Sequence, residues 1–199
     1  MAPYTWEMIK NFKGGTAVFT NPVGPVKCGG APHKIMYLAC DYWKKKGILD
    51  KCNVHYLSGA GVIFDIKEYA ETLTKLIKQV NIKPHFGVNV NAIDGEKKTV
   101  FYEEKNKDGV VEQKEIKFDI CHAVPPQSAP DFIKNSPLAD AANPFGFVEV
   151  NKLTLQHSRF ANIFSLGDCT NAPCKKTGAA IRKQAPVVVQ NLLAVLSDQ

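Results

Sequence analysis

The sequence predicts an α/β protein built on a three-layer, Rossmann-type unit that carries a small antiparallel β-meander. Three observations predict it. A β-rich run at 16–20 leads through a turn into a helical pattern over 33–46 and back to a second strand at 53–57, which is the strand–turn–helix–strand order of that unit. Residues 90–94, 99–103 and 110–118 alternate apolar and polar between turns at Asp94-Gly95 and Asp108-Gly109, the pattern of antiparallel strands. The stretch Asn162-Ile163-Phe164-Ser165-Leu166-Gly167-Asp168-Cys169-Thr170-Asn171 reads as a buried strand that stops at a glycine and presents an acid and a thiol. Open α/β sheets bind ligands at such carboxyl ends.

Each element has its own local reason. Trp6-Glu7-Met8-Ile9 reads as a short helical lead-in. In the 33–46 pattern Ile35, Met36, Leu38, Ala39 and Trp43 form the expected apolar side, and Gly47 ends the helix. A second amphipathic helix is expected over 67–80, with Tyr69, Ala70, Leu73, Leu76, Ile77 and Val80 inward. A strand follows at 83–88, then the meander, then a buried strand at 119–124. Pro125-Pro126-Gln127-Ser128-Ala129-Pro130 is stiff and extended. A short strand at 146–150 precedes the one at 162, and a final helix spans 178–196 with a kink expected at Pro186.

Composition excludes several classes. At 199 residues the chain suits one domain or one and a half. Its 45% hydrophobic and 22% charged residues are those of an ordinary globular protein. No apolar run is long enough to span a bilayer, and the first residues resemble neither a signal nor a transit peptide. The net charge of +6 comes mainly from scattered lysines, which read as a solvated face; no nucleic-acid motif accompanies them, so no nucleic-acid partner is expected. The six cysteines do not make a secreted disulfide scaffold. Cys169 and Cys174 lack a second close pair or a nearby histidine, so no metal is expected.

The turn after residue 20 departs from a dinucleotide fingerprint. A G-x-G-x-x-G turn lets backbone approach a pyrophosphate. Here the turn reads Gly24-Pro25-Val26-Lys27-Cys28-Gly29-Gly30-Ala31-Pro32. Its prolines remove N–H donors that a phosphate needs. The unit is therefore read as one that does not hold NAD, with Cys28 where the nicotinamide would lie. Cys28 follows a lysine at the start of a helix, a setting that favours a thiolate; a buried structural thiol is the other reading.

The order of Val26-Lys27-Cys28-Gly29-Gly30-Ala31-Pro32-His33-Lys34-Ile35-Met36-Tyr37-Leu38, Val124-Pro125-Pro126, Leu155-Gln156-His157, Gly167-Asp168-Cys169-Thr170-Asn171 and Lys176-Thr177 resembles the sulfide:quinone oxidoreductases of the mitochondrial type, within the disulfide-reductase-like flavoproteins. The resemblance runs along essentially the whole chain. It implies an NADH-domain-like unit over 16–124 after a lead-in at 1–15, and the returning strand and helix of an FAD-binding domain over 125–199. Members of the family begin with a G-x-G-x-x-G unit and end in amphipathic helices that attach them to the membrane; neither is seen here. The chain is thus expected to be a fragment or subunit, with its FAD-domain half missing or on a companion chain. It is also expected to bind FAD weakly or not at all when alone.

What the resemblance implies for chemistry is specific. Cys28 and Cys169 would be the redox pair, Cys28 facing the flavin and Cys169 taking the sulfide and holding a persulfide. The electrons would pass to FAD and then to ubiquinone, and the sulfur to a small acceptor. Gly167 and Asp168 resemble the flavoprotein motif whose acid meets the ribityl chain; a helix N-cap is the plainer reading of Asp168. Lys176 and Thr177 would open a helix toward the flavin, or simply cap it. Pro125 would wall the flavin and quinone region, or form a rigid loop. Location at the inner mitochondrial membrane, peripherally and through the missing C-terminal segment, follows from the family alone. Two other readings are a non-catalytic subunit or interaction module of a larger assembly, and a NAD(P)H-dependent disulfide reductase, against which the prolines argue. The histidines do not cluster by spacing, and Cys40, Cys52, Cys121 and Cys174 read as packing or surface thiols. Exposed faces, and with them self-association or partner binding, are expected where the rest of the fold would pack.

Overall fold

The computed structural model describes residues 2–197. The chain divides into two compact units, one comprising the residues up to Gly24 with Gly29–Pro126, the other Pro25–Cys28 with the residues from Gln127 onward.

The first unit is organised by a parallel sheet. Its elements in order are α1 (Ala2–Asn11), β1 (Gly15–Asn21), α2 (Ala31–Lys45), β2 (Cys52–Ser58), α3 (Lys67–Gln79), β3 (Lys83–Phe86), the meander β4 (Asn89–Asp94), β5 (Thr99–Lys105) and β6 (Val111–Lys117), and β7 (Ile120–His122). The parallel strands lie in the order β3-β2-β1-β7, with Ala17 opposite Val54 on one side and Ile120 on the other. Successive side chains of a strand point to opposite faces. Ala17 and Phe19 of β1 accordingly join the core with Met36, Ala39 and Trp43 of α2, while Val18 joins Leu57, Val88, Val100 and Tyr102 beneath the meander. Three layers result, and β1 is apolar on both faces because both are covered.

The helices differ in detail from the periodicity. In α2 the buried stripe is His33, Met36, Ala39, Cys40 and Trp43, and Leu38 is 60% exposed. Residue 38 lies about 200° round the helix from residue 36, on the far side of the stripe. Cys40 takes the core place instead. In α3 only Ile77 is fully buried, and Tyr69 faces solvent. β7 is shorter than the run 119–124. Its preceding Asp119 carboxylate accepts the Thr16 N–H at 2.7 Å, and a Cβ on Gly15, whose φ is +113°, would fall on that carboxylate.

The second unit has its own core of Ala129, Ile133, Phe147, Val148, Val150, Leu155 and Ala172, against which Leu166, Cys169, Val187 and Val188 pack. Its helices are α4 (Asp131–Lys134) and α5 (Gly178–Leu196), and α5 runs on through Pro186. The strands expected at 146–150 and from 162 do not form. Val148 makes single bridges to Ala139 and Thr170, and Phe164 one to Gln156. These apolar runs are buried by packing, with Phe147 at 3% and Val150 at 8% exposure; burial supplies apolar pattern without a ladder of neighbours.

Candidate functional site

The turn after β1 is clamped at its start. Asn21 donates from Nδ2 to Ser58 Oγ at 3.0 Å, and the Gly59 N–H donates to the Asn21 carbonyl at 2.9 Å. A Cβ on Gly59 would lie 2.7 Å from the Val23 backbone, so only glycine lets these two loops meet. Residues 25–28 then group with the second unit, where the Lys27 N–H donates to Gln127 Oε1 at 2.6 Å. Cys28 is a half-buried free thiol with φ +59°. A non-glycine residue in that region is uncommon and is favoured only where surrounding contacts hold it. Its expected place at the helix start is corrected: Gly30 is the N-cap of α2, and Cys28 stands two residues ahead of it.

The second cysteine sits in a tight turn. Gly167–Cys169 form one 3-10 turn, with Gly167 at φ +74°. The Gly167 N–H donates to Gln184 Oε1 of α5 at 2.8 Å. Cys169 is half-buried; its sulfur lies 3.5 Å from Ser165 Oγ, and its thiol donates to the Leu166 carbonyl at 3.5 Å. The Val148 N–H donates to the Cys169 carbonyl at 2.7 Å, so the unit's core fixes the turn.

Lys176 returns across this turn. Its ammonium donates to the Thr170 carbonyl at 2.7 Å and lies 4.2 Å from the centre of the Phe147 ring. Burial lowers its pKa; Cys174, Asp168 and Cys169 pull it back up, and Lys27 adds to the lowering. Thr177 is the N-cap of α5, its Oγ1 accepting the Ala180 N–H at 3.1 Å. That excludes Asp168 as the cap. Asp168 is exposed, with no hydrogen-bond or ion-pair partner among the described residues.

The predicted residues Cys28, Gly167, Asp168, Cys169, Lys176 and Thr177 all fall in the second unit. Pro125 is exposed at the end of the first. Gln184 and Gln127, which hold the two turns, carry no sequence signal: Gln184 follows Arg182 and Lys183 and reads as solvated face. His157 is structural. Its Nδ1 accepts the Arg159 N–H at 3.0 Å, so Nε2 carries the hydrogen and donates to the Leu138 carbonyl at 3.1 Å. Among the described residues no group of three or more His, Cys, Asp or Glu could hold a metal ion.

The residues fit part of a flavin site. An exposed carboxylate at Asp168 that makes no hydrogen bond among the described residues, a glycine turn before it and a helix opening at Gly178 offer an acceptor for ribityl hydroxyls and N–H groups for an electron-rich edge.

No protein-family model matches the chain. It is 45% identical over 190 residues to the mitochondrial sulfide:quinone oxidoreductase of Dictyostelium discoideum, which covers 95% of this chain and 40% of that protein. It is 39% identical over 195 residues to that of Mus musculus, covering 98% of this chain and 42% of the other. The chain thus spans about two fifths of the length of these relatives. Among solved structures, the sulfide:quinone oxidoreductase of Aquifex aeolicus superposes with a TM-score of 0.77 at 22% identity, covering 98% of this chain and 47% of that one. A chain in the Tetrahymena thermophila mitochondrial ATP synthase gives 0.74 at 20% identity, covering 97% and 46%. At those identities the likeness is one of fold, a Rossmann-like α/β fold that thioredoxin reductase of T. acidophilum also shows, with a TM-score of 0.60. In sequence, the chain is a relative of the mitochondrial sulfide:quinone oxidoreductases along nearly its whole length.

Proposed function

We propose that the chain carries the cysteine pair and part of the flavin wall of a sulfide:quinone oxidoreductase. The supporting observation is that Pro25–Cys28 groups with the compact unit that carries Cys169, where Gln127 accepts the Lys27 N–H. Two free thiols far apart in sequence thus belong to one unit.

In the oxidised pair the two sulfurs share a disulfide. Hydrosulfide attacks the Cys169 sulfur, the bond to Cys28 breaks, and the products are a Cys169 persulfide and a Cys28 thiolate. This is thiol–disulfide exchange, and it needs no further oxidant. Lys176 takes up part of the negative charge as it moves between the sulfurs. The Ser165 hydroxyl, 3.5 Å from the Cys169 sulfur, is placed to donate to it during the attack. A small acceptor removes the sulfane sulfur and leaves Cys169 as a thiolate. The two thiolates then re-form the disulfide, and FAD, when bound, would accept the two electrons released, with ubiquinone the next acceptor.

Gly167, Asp168, Lys176, Thr177 and Pro125 are assigned to the flavin in this reading, with residues 16–124 as the NADH-domain-like unit and 125–199 as the returning part of an FAD domain. The named relatives support a mitochondrial location, and peripheral attachment to the inner membrane is part of the same proposal. No helix of the described residues is long and apolar enough to cross a membrane.

Mild oxidation with diamide, followed by peptide mapping without reductant, tests the pair. A Cys28–Cys169 disulfide is expected, opened by sulfide to leave one extra sulfur on Cys169. Cross-links that leave Cys28 free, or a disulfide that sulfide opens without marking Cys169, overturn the proposal.

A further inference from the structure

The first turn of α2 is loosely fastened. Its N-cap, Gly30, offers no side-chain cap, and Pro32 stands within the turn, so the backbone donors there are not tied down by a neighbouring side chain. The Lys34 N–H donates back to the Gly30 carbonyl at 3.0 Å. A Cβ on Gly29 would meet nothing within 4 Å, and one on Gly30 would touch only the ring of Phe64, at 3.9 Å. Little packs against the entry to the helix.

His33 lies on this turn and is only 6% exposed. The rings of Tyr37, Phe64 and Tyr56 meet it edge-on, with centroids 5.6, 5.8 and 6.5 Å away. Burial, with Lys34 adding to it, lowers the His33 pKa, so at neutral pH the ring has one nitrogen to donate and one to accept. Neither nitrogen has a hydrogen-bond partner among the described residues, and neither has the buried hydroxyl of Tyr37 one turn further on. Buried polar groups are nearly always paired, and an unpaired one carries its full desolvation cost. Three such atoms behind one helical turn favour any movement that lets water reach them.

We propose that the first turn of α2, residues 30–34, unwinds and rewinds while the rest of the helix stays folded, and that this motion lets Cys28 change partners. The second half rests on the reading of Cys28 as a redox thiol, bonded to Cys169 in one state and released as a thiolate in the next. Unwinding hydrates both His33 nitrogens and uncovers the Tyr37 hydroxyl. It also loosens the backbone two residues beyond Cys28, which is held at φ +59°. A non-glycine residue keeps that conformation only while its surroundings impose it. Further along α2, Met36, Ala39, Cys40 and Trp43 are fully buried in the core, and they keep the remaining turns in place when the first one lifts. Local openings of this kind lie well below global unfolding in free energy.

The test compares the 199-residue chain with its His33→Leu and Tyr37→Phe variants, which keep an apolar side chain at each place and remove the unpaired atoms. Amide exchange is followed by mass spectrometry. Alkylation of Cys28 by iodoacetamide is read on the tryptic peptide 28–34. In the parent chain the amides of 31–34 should exchange faster than those of 40–45. In each variant they should exchange about tenfold more slowly than in the parent, because opening no longer relieves an unpaired group. Exchange over 40–45 should not change, and Cys28 should alkylate more slowly in the same proportion. Faster exchange over 31–34 in the variants would mean that His33 and Tyr37 hold the turn shut, and it overturns the proposal. So does an equal slowing over the whole first unit, which reports global stability, and so does slower exchange with unchanged alkylation of Cys28. If these results hold but diamide gives no Cys28–Cys169 disulfide, the proposed function falls and the opening stands as a property of the fold.

Discussion

Two imidazoles on neighbouring strands bear on how the first unit meets acid. His55 Nδ1 and His85 Nε2 are 3.0 Å apart, and the rings stack at 5.3 Å with an interplanar angle of 20°. One nitrogen donates and the other accepts. Burial, then His85 and Lys83, push the His55 pKa down to about 4. Burial also lowers that of His85; Lys114 and Lys83 add to the lowering and Glu104 opposes it. A base whose folded pKa lies below its ordinary value binds fewer protons folded than unfolded. Stability is therefore complete above the ordinary histidine range and falls as pH drops from there toward about 4. Urea unfolding at stepped pH should show this slope, and His55→Gln with His85→Gln should flatten it; an equal slope in the double variant refutes the assignment. Sequence spacing gives no hint of this pair, since residues 55 and 85 meet only through the parallel register that sets Leu57 opposite His85.

At the scale of elements, α2 is the fastening of the first unit. Trp43 is fully buried, donates from Nε1 to the Ile9 carbonyl at 3.0 Å, and packs its ring 4.9 Å from that of Phe12. It ties α1 to the sheet core. Trp43→Ala should cost about 3–5 kcal/mol, measured by urea unfolding, and should release α1, measured as faster amide exchange over 2–11. Retention of slow exchange there would show that α1 is held by other contacts. Helices α2 and α3 were legible in the sequence because each carries a 3.6-residue stripe, with a stop such as Gly47 after α2. The central parallel strands β1 and β2 were legible because they are largely buried and run in a familiar order. In the second unit α5 was legible over 178–196, but the strands expected at 146–150 and from 162 were not there to be read. Phe147, Val148 and Val150 are as apolar as a core strand, yet hydrogen bonding across a ladder depends on which backbone lies alongside, and no local pattern encodes that. The cysteines' positions on two turns were visible; the amides of Gln127 and Gln184 that hold those turns were not, because a glutamine reads as surface until its partner is known.

Across the whole molecule, the two units differ in how well they cover themselves. α5 buries none of its residues, and Val189 is 55%, Leu193 58% and Leu196 73% exposed. Apolar side chains in such number on one helix are available to any apolar surface. The native chain should therefore enhance the fluorescence of an apolar dye such as ANS. Val189→Lys with Leu193→Lys should reduce that signal and leave the far-UV circular dichroism unchanged; an undiminished signal would place the dye site elsewhere.

The Thr16–Asp119 hydrogen bond joins residues 103 positions apart, so this side of the sheet closes late. Both crossover helices and the meander separate β1 from its neighbour β7 along the chain. Until β7 is made, that edge of β1 has no strand partner, and an open strand edge can pair with another chain instead.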